Sequence, residues 1–176
     1  MKFFSNIRLL ILAIWLGAAV FFIGVAQTAF AVLPDHELAG AVVSRNLMIL
    51  NFGGIGISVI LLLTSLIGTA KISTFWLWVE RFLLLLLAAS CAVGQFVIGM
   101  WLASIRGQMG KPIDEMATDD PLRVQFNVVH QYSTWVFMAG MAAALIAFFI
   151  ISNRKFGPAK NDKAADPYDF SKEFKV

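Results

Sequence analysis

The sequence predicts an all-α, polytopic membrane protein, an antiparallel bundle of four transmembrane helices. Three observations carry that reading. First, 59% of the residues are hydrophobic and only 14% charged, against roughly half and a quarter in an ordinary soluble domain. Second, the charges cluster, leaving four stretches at 9–33, 46–70, 82–105 and 124–153 with no Asp, Glu, Lys or Arg. Each exceeds the roughly 20 residues a helix needs to cross a bilayer core. Third, the connections are short: 18 residues from Arg106 to Arg123 is the longest, and 23 follow from Arg154. Any chemistry therefore belongs in or at the membrane. The expected division is an N-terminal segment 1–8, a transmembrane domain 9–153 and a mobile polar tail 154–176.

The first span, Leu9 to Leu33, is read as a retained helix. Ala29-Phe30-Ala31 resembles a small-residue cleavage site, but a signal peptide's apolar core is only about 7 to 15 residues long. Ala13, Gly17 and Gly24 offer small positions for close helix contact. Pro34-Asp35-His36-Glu37 forms a polar corner, where a metal is one reading and a solvated turn the other.

The second span places Ser44, Asn51, Ser58 and Ser65 at seven-residue spacing, a stripe that should face other helices. Gly53-Gly54-Ile55-Gly56 lacks the preceding strand a nucleotide loop requires and reads as a close-packing patch. Before the third span, Trp76 and Trp78 beside Glu80 and Arg81 form an interfacial anchor, with Arg81 expected on Glu80 or a lipid phosphate. Within that span Gln95 is the amide near the middle, and Cys91, the one cysteine, reads as a small packing residue. Ser90/Gly94, Gly54/Ser58 and Gly140/Ala144 recur at the four-residue spacing of tight helix contacts.

The fourth span carries the polar concentration. Asp120-Pro121 is a helix-start signal, because the Asp side chain accepts from orphan N–H groups and Pro lacks one. At about 100° per residue, Arg123, Asn127, His130 and Thr134 share a stripe, with Ser133 beside it. Polar groups inside a span face a bundle interior or a water-filled cavity, so this stripe is the candidate site, with Gln95 and Asn51 as expected partners. The competing reading is structural: His130 hydrogen-bonds a neighbouring helix and Arg123 extends to the interface. His130 is the intramembrane candidate for a metal.

Charge asymmetry indicates sidedness. With alternating helices, one side carries ten of the 14 Lys and Arg residues; the other carries Arg45, Arg106, Lys111 and Arg123. The positive-inside rule then puts both termini in the cytoplasm, of the inner (plasma) membrane if the source is bacterial. The net charge of +3 lies beside the spans and carries no nucleic-acid signal. The expected partners are the lipid bilayer, a second copy or another membrane protein.

Trp15-Leu16-Gly17, Phe21-Phe22, Ala39-Gly40, Arg45 and the run Phe126-Asn127-Val128-Val129-His130-Gln131-Tyr132-Ser133 resemble the four-helix membrane family of unknown function typified by transmembrane protein 205. That resemblance covers about residues 9 to 152 and implies a compact bundle with no established enzymatic activity. A more distant likeness, in length and layout, to copper-resistance protein D and the membrane form of protoporphyrinogen oxidase implies copper or haem handling. Three function classes follow: a helper or structural bundle without its own activity or cofactor, a small permease or ion-handling bundle, and a haem- or metal-binding redox protein using His130.

Overall fold

The computed structural model describes residues 2–66 and 74–153. Five α-helices make four long rods: α1 (Lys2–Val32), α2 (His36–Thr64), α3 (Thr74–Ala92) continuing into α4 (Gly99–Met109), and α5 (Pro121–Ser152). No strand occurs among the described residues. All four rods are long and apolar enough to cross a membrane. The expected tail 154–176 and the end of the second predicted span lie outside the described residues.

The rods run beyond the uncharged stretches, because a charged side chain near a span end does not interrupt helical hydrogen bonding. The second begins ten residues before Asn46, where Asp35 Oδ1 accepts from the Glu37 and Leu38 N–H groups at 2.8 and 3.2 Å. The fourth begins at Pro121, as its start signal predicts, with Asp120 accepting from Leu122 N–H at 2.9 Å. Gly110 ends α4 at φ 64°, a left-handed position that glycine fills without a Cβ penalty.

Contacts run around a ring, α1 on α2, α2 on α3, α3 on α5 and α5 on α1, while α4 packs on α5. Two apolar cores result. The larger contains Leu12, Trp15, Leu61, Leu84, Leu87 and Ala144. The smaller joins Ile98 and Ile105 to Phe126 and Val129. Large apolar side chains such as Leu10, Phe21, Ile60, Phe82, Trp135 and Phe149 remain on the outside, where a bilayer is the solvent that accepts them.

At the end carrying the N-terminus and the α2–α3 connection, which we call the proximal end, polar side chains lock the rods together. Arg8 on α1 donates through Nη2 to Glu80 Oε1 on α3 at 2.6 Å and to the Leu61 carbonyl on α2 at 2.8 Å. Glu80 is fully buried and Arg8 nearly so. Arg81 donates to the Ser65 hydroxyl at 3.1 Å and carbonyl at 2.9 Å, and its guanidinium lies 5.9 Å from the Trp78 ring centre. The expected Arg81–Glu80 pairing is thus replaced: Glu80 points inward to α1, and Arg81 satisfies the end of α2.

Small residues divide by environment. A Cβ built on Gly54 would sit 2.5 Å from Cys91 Sγ and 2.9 Å from Trp15 Nε1, and one on Gly140 would sit 3.1 Å from Ser90 Cβ. Trp15 meanwhile donates from Nε1 to the Leu50 carbonyl at 3.1 Å. Gly17, Gly24, Gly53 and Gly56 have nothing within 4 Å, and Ala13 is exposed. The close-packing expected of the first-span residues and of the whole Gly53–Gly56 patch therefore holds for Gly54 alone. Of the heptad stripe, Asn51, Ser58 and Ser65 are buried and Ser44 is exposed.

Two outcomes test this packing. Arg8→Ala and Glu80→Ala should each cost about 3 to 5 kcal/mol, the usual penalty for stranding one buried charge, and the double variant should cost less than their sum in unfolding from detergent. Gly54→Leu should cost about 1 to 3 kcal/mol through overpacking whereas Gly17→Leu should be near neutral. Equal losses for the two glycine variants would contradict the arrangement.

Candidate functional site

The opposite, distal end holds the α1–α2 turn and the α4–α5 connection, and here the bundle is less tightly closed. The third rod leaves regular α geometry over Val93–Ile98, where a π turn carries Gly99 N–H to the Gly94 carbonyl. Inserting that wider turn shifts the face the rod presents beyond it: α3 packs on both α2 and α5, whereas α4 stays on α5 and draws away from α2. Glycine suits position 99, where a Cβ would sit 3.3 Å from the Gly94 oxygen, while a Cβ on Gly94 would make an ordinary 3.5 Å contact with Asn51 Nδ2.

Two adjoining cavities occupy the space. The deeper, about 480 Å³, lies between α2, the π turn with α4, and α5; its polar lining is Ser44, Arg45, Asn51, Gln95, Arg106, His130 and Ser133. The second, about 570 Å³, lies toward the distal surface and is lined by Asp35, Glu37, Lys111 and Asp114 among others. Phe30, Ala41, Arg106 and His130 line both. Across the mouth, His36 Nδ1 meets Asp114 Oδ2 at 2.7 Å, tying the first turn of α2 to the α4–α5 connection. The polar corner expected at 34–37 is thus a clasp between connections. Among the described residues no three His, Cys, Asp or Glu side chains are grouped so as to hold a metal.

Arg106 stands at the junction. Its guanidinium carbon lies 5.1 Å from the Phe126 ring centre. Its Nη2 lies so near α2 that a Cβ on Gly40 would be 3.1 Å away. The two ion pairs among the described residues are Arg8–Glu80 and His36–Asp114, so no described carboxylate neutralises Arg106. His130 stacks on the same Phe126, with centroids 6.1 Å apart and planes 3° from parallel. Neither ring nitrogen of His130 hydrogen-bonds a described residue.

The stripe on the fourth helix is therefore split. His130 and Ser133 share the deeper cavity with Gln95 and Asn51. Arg123 instead donates to the Met116 carbonyl at 2.5 Å and braces the connection before α5. Asn127 and Thr134 are exposed, and Thr134 donates back to the His130 carbonyl at 3.3 Å. The residues α5 turns inward are the apolar Phe126, Val129, Gly140, Ala143 and Ala147, so the polar stripe flanks the buried face. Sequence reasoning used Arg106 and Arg45 for sidedness, and Arg45 for the family resemblance, but made neither a site residue. The available signal was their place one to three turns inside helices whose ends lie beyond them.

A family model described as a domain of unknown function, DUF4149, matches residues 10–111. The chain belongs to the DUF4149 family. The match takes in the first three rods of this DUF4149 chain, with Arg45, Asn51, Gln95 and Arg106, and stops before α5. No curated protein matches the chain, and no solved structure does.

Because His130 makes no hydrogen bond that folding depends on, His130→Ala and His130→Gln should both shift the melting temperature far less than Gly54→Leu; surface changes usually stay within about 0.5 kcal/mol. A loss with Ala that Gln restores would instead assign His130 a structural hydrogen bond.

Proposed function

We propose that this small integral membrane protein is a helper bundle without its own catalysis or cofactor, which acts by holding a lipid or a neighbouring membrane protein in its distal cleft. The observation that carries this reading is the meeting of two cavities at Arg106 and His130, two side chains with no described ionic or hydrogen-bonding partner at the open end of a bundle locked at its other end. In this reading the ten-to-four distribution of basic residues sets the termini in the cytoplasm and the cleft on the outside. The typing by transmembrane protein 205 belongs to the same proposal and rests largely on Phe126 to Ser133, beyond the region the family model covers.

Continuity of the cavities favours a second reading, a small permease. Its path would have to continue through a proximal core in which Leu61, Leu84 and Leu87 are fully buried and Arg8 is paired with Glu80. Transport thus requires the proximal rods to separate, which the binding role does not.

Thiol accessibility tests the cleft. In a Cys91→Ala background, Ser44→Cys and Ser133→Cys should react with a charged, membrane-impermeant maleimide in open membranes, while the fully buried Ser58→Cys should not. In intact cells the two reactive variants should label from outside. Protection of both in open membranes would overturn the cleft, and labelling restricted to the cytoplasmic side would reverse the proposed topology.

A further inference from the structure

The floor of the deeper cavity carries neutral polar groups that the bundle itself leaves unused. Asn51 is only 4% exposed, yet no described residue hydrogen-bonds its side chain. Its amide lies against the π turn, where a Cβ on Gly94 would be 3.5 Å from Nδ2. The Ser58 hydroxyl, also unpartnered, is wholly enclosed, whereas the Asn51 amide keeps a little free surface and lines the cavity. Half-buried Gln95 on the π turn and Ser133 on α5 line the same cavity, and their side chains make no described hydrogen bond either. Leaving a buried amide unpaired is costly, and π turns recur at functional sites.

Depth and composition narrow the chemistry that pairs with them. Asn51 is 15 residues from His36 at the distal start of α2, Gln95 is 14 from Met109 and Ser133 is 12 from Pro121. At about 1.5 Å per residue, each lies roughly 18 to 23 Å from the distal end of its rod. A headgroup layer is only about 5 to 8 Å thick, so lipid phosphates stay above this floor, and Arg45 and Arg106 also lie nearer the distal end. The floor offers amide N–H groups and a hydroxyl as donors, and no carboxylate lines the cavity. Leu47, Met48, Met100 and Leu102 supply apolar walls. Beyond the π turn α4 draws away from α2, and the lining residues Ser44, Met100 and Ala103 on that flank are exposed. At their depth the flank meets the bilayer.

We propose that the deeper cavity takes the carbonyl head of an uncharged, lipid-soluble molecule from the bilayer. Carbonyl oxygens accept from the Asn51 and Gln95 amides, and the apolar body lies along the Leu47 and Met100 walls. A carbonyl brings acceptors without charge, which suits donor-bearing amides at hydrocarbon depth. The volume of about 480 Å³ falls within the roughly 300 to 1,000 Å³ of small-molecule sites. Water satisfies the amides but leaves the apolar walls uncovered. Two sources offer the same chemistry: a quinone ring on an isoprenoid tail, and the ester carbonyls of a diacylglycerol.

This inference rests on the open cleft proposed above, and the two fail separately: protected cysteines sink both, whereas accessible cysteines without a carbonyl ligand sink this one only. Full-length protein in detergent is titrated with decylubiquinone, with dioctanoylglycerol and with decyl phosphate, and bound ligand is counted by native mass spectrometry. At least one of the two carbonyl probes should bind, and the tighter identifies the source. Asn51→Leu keeps nearly the same volume and should weaken that probe by about tenfold or more, a factor equal to about 1.4 kcal/mol. It should not lower the melting temperature of the ligand-free protein, because no hydrogen bond within the bundle is lost. Gln95→Leu should weaken the same probe, while Gln108→Ala, exposed on α4 and outside both cavities, should not. Binding of neither carbonyl probe would overturn the proposal, as would wild-type affinity in Asn51→Leu. Decyl phosphate binding as tightly and with the same dependence on Asn51 would overturn the carbonyl assignment. A lower melting temperature in Asn51→Leu with unchanged binding would make the amide a structural group and overturn the site.

Discussion

The buried pair of Arg8 and Glu80 is the constraint around which the bundle is arranged. Three rods meet there: α1 supplies the guanidinium, α3 the carboxylate and α2 the Leu61 carbonyl that accepts a second bond from the same Nη2. Two charges in a low-dielectric interior repay their desolvation only when geometry and additional hydrogen bonds are good. A rotation or a one-turn slip of α1 or α3 would strand a charge, and one of α2 would take away the Leu61 carbonyl, so the pair penalises alternative registers that apolar side chains alone would tolerate. In a bilayer that penalty matters more, because lipid is as apolar as leucine and burial does not separate right packing from wrong.

Fixing the proximal end leaves the distal end to diverge. The close contacts at Gly54 against Cys91 and Trp15 hold α1, α2 and α3 together near the middle. Two residues beyond Cys91 the π segment begins, and past it α4 stays on α5 while drawing away from α2. The gap this leaves beside α2 is where polar groups gather, from the buried Asn51 to the exposed Arg106. Asn51, Gln95 and Arg106 are costly in hydrocarbon and become tolerable where a cavity admits water or a headgroup. The locked end and the open end are thus two consequences of one geometry: register is set where charges are paired inside the protein, and the cleft opens where they are not.

That division also explains why His130 behaves differently from the rest of its stripe. A helical wheel places Arg123, Asn127, His130 and Thr134 on one side, yet the wheel is blind to what lies opposite each turn. Arg123 reaches Met116 in the connection before α5, Asn127 and Thr134 line neither cavity, and only His130 with Ser133 lies beside the gap opened by the π turn. A site on one helix face is completed or dissolved by its neighbours.

By itself the sequence determined the properties that depend on neighbouring residues. Uncharged lengths specify four membrane-crossing helices; Asp120 before Pro121 marks a helix start; and Phe126 to Ser133 marks the fourth rod as polar on one side. The physical reason is that hydropathy over about 20 residues and side-chain caps act within a few turns of helix. Only the tertiary structure decided that Arg8 pairs with a carboxylate 72 residues away, that Gly54 is packed while Gly17 and Gly24 are open, and that Arg106 meets His130 across the face of Phe126. Those outcomes hinge on which helix faces which and at what rotation. Composition does not encode that rotation; it follows from the summed fit of distant side chains, with the π turn shifting it by a fraction of a turn at the point where the cleft begins.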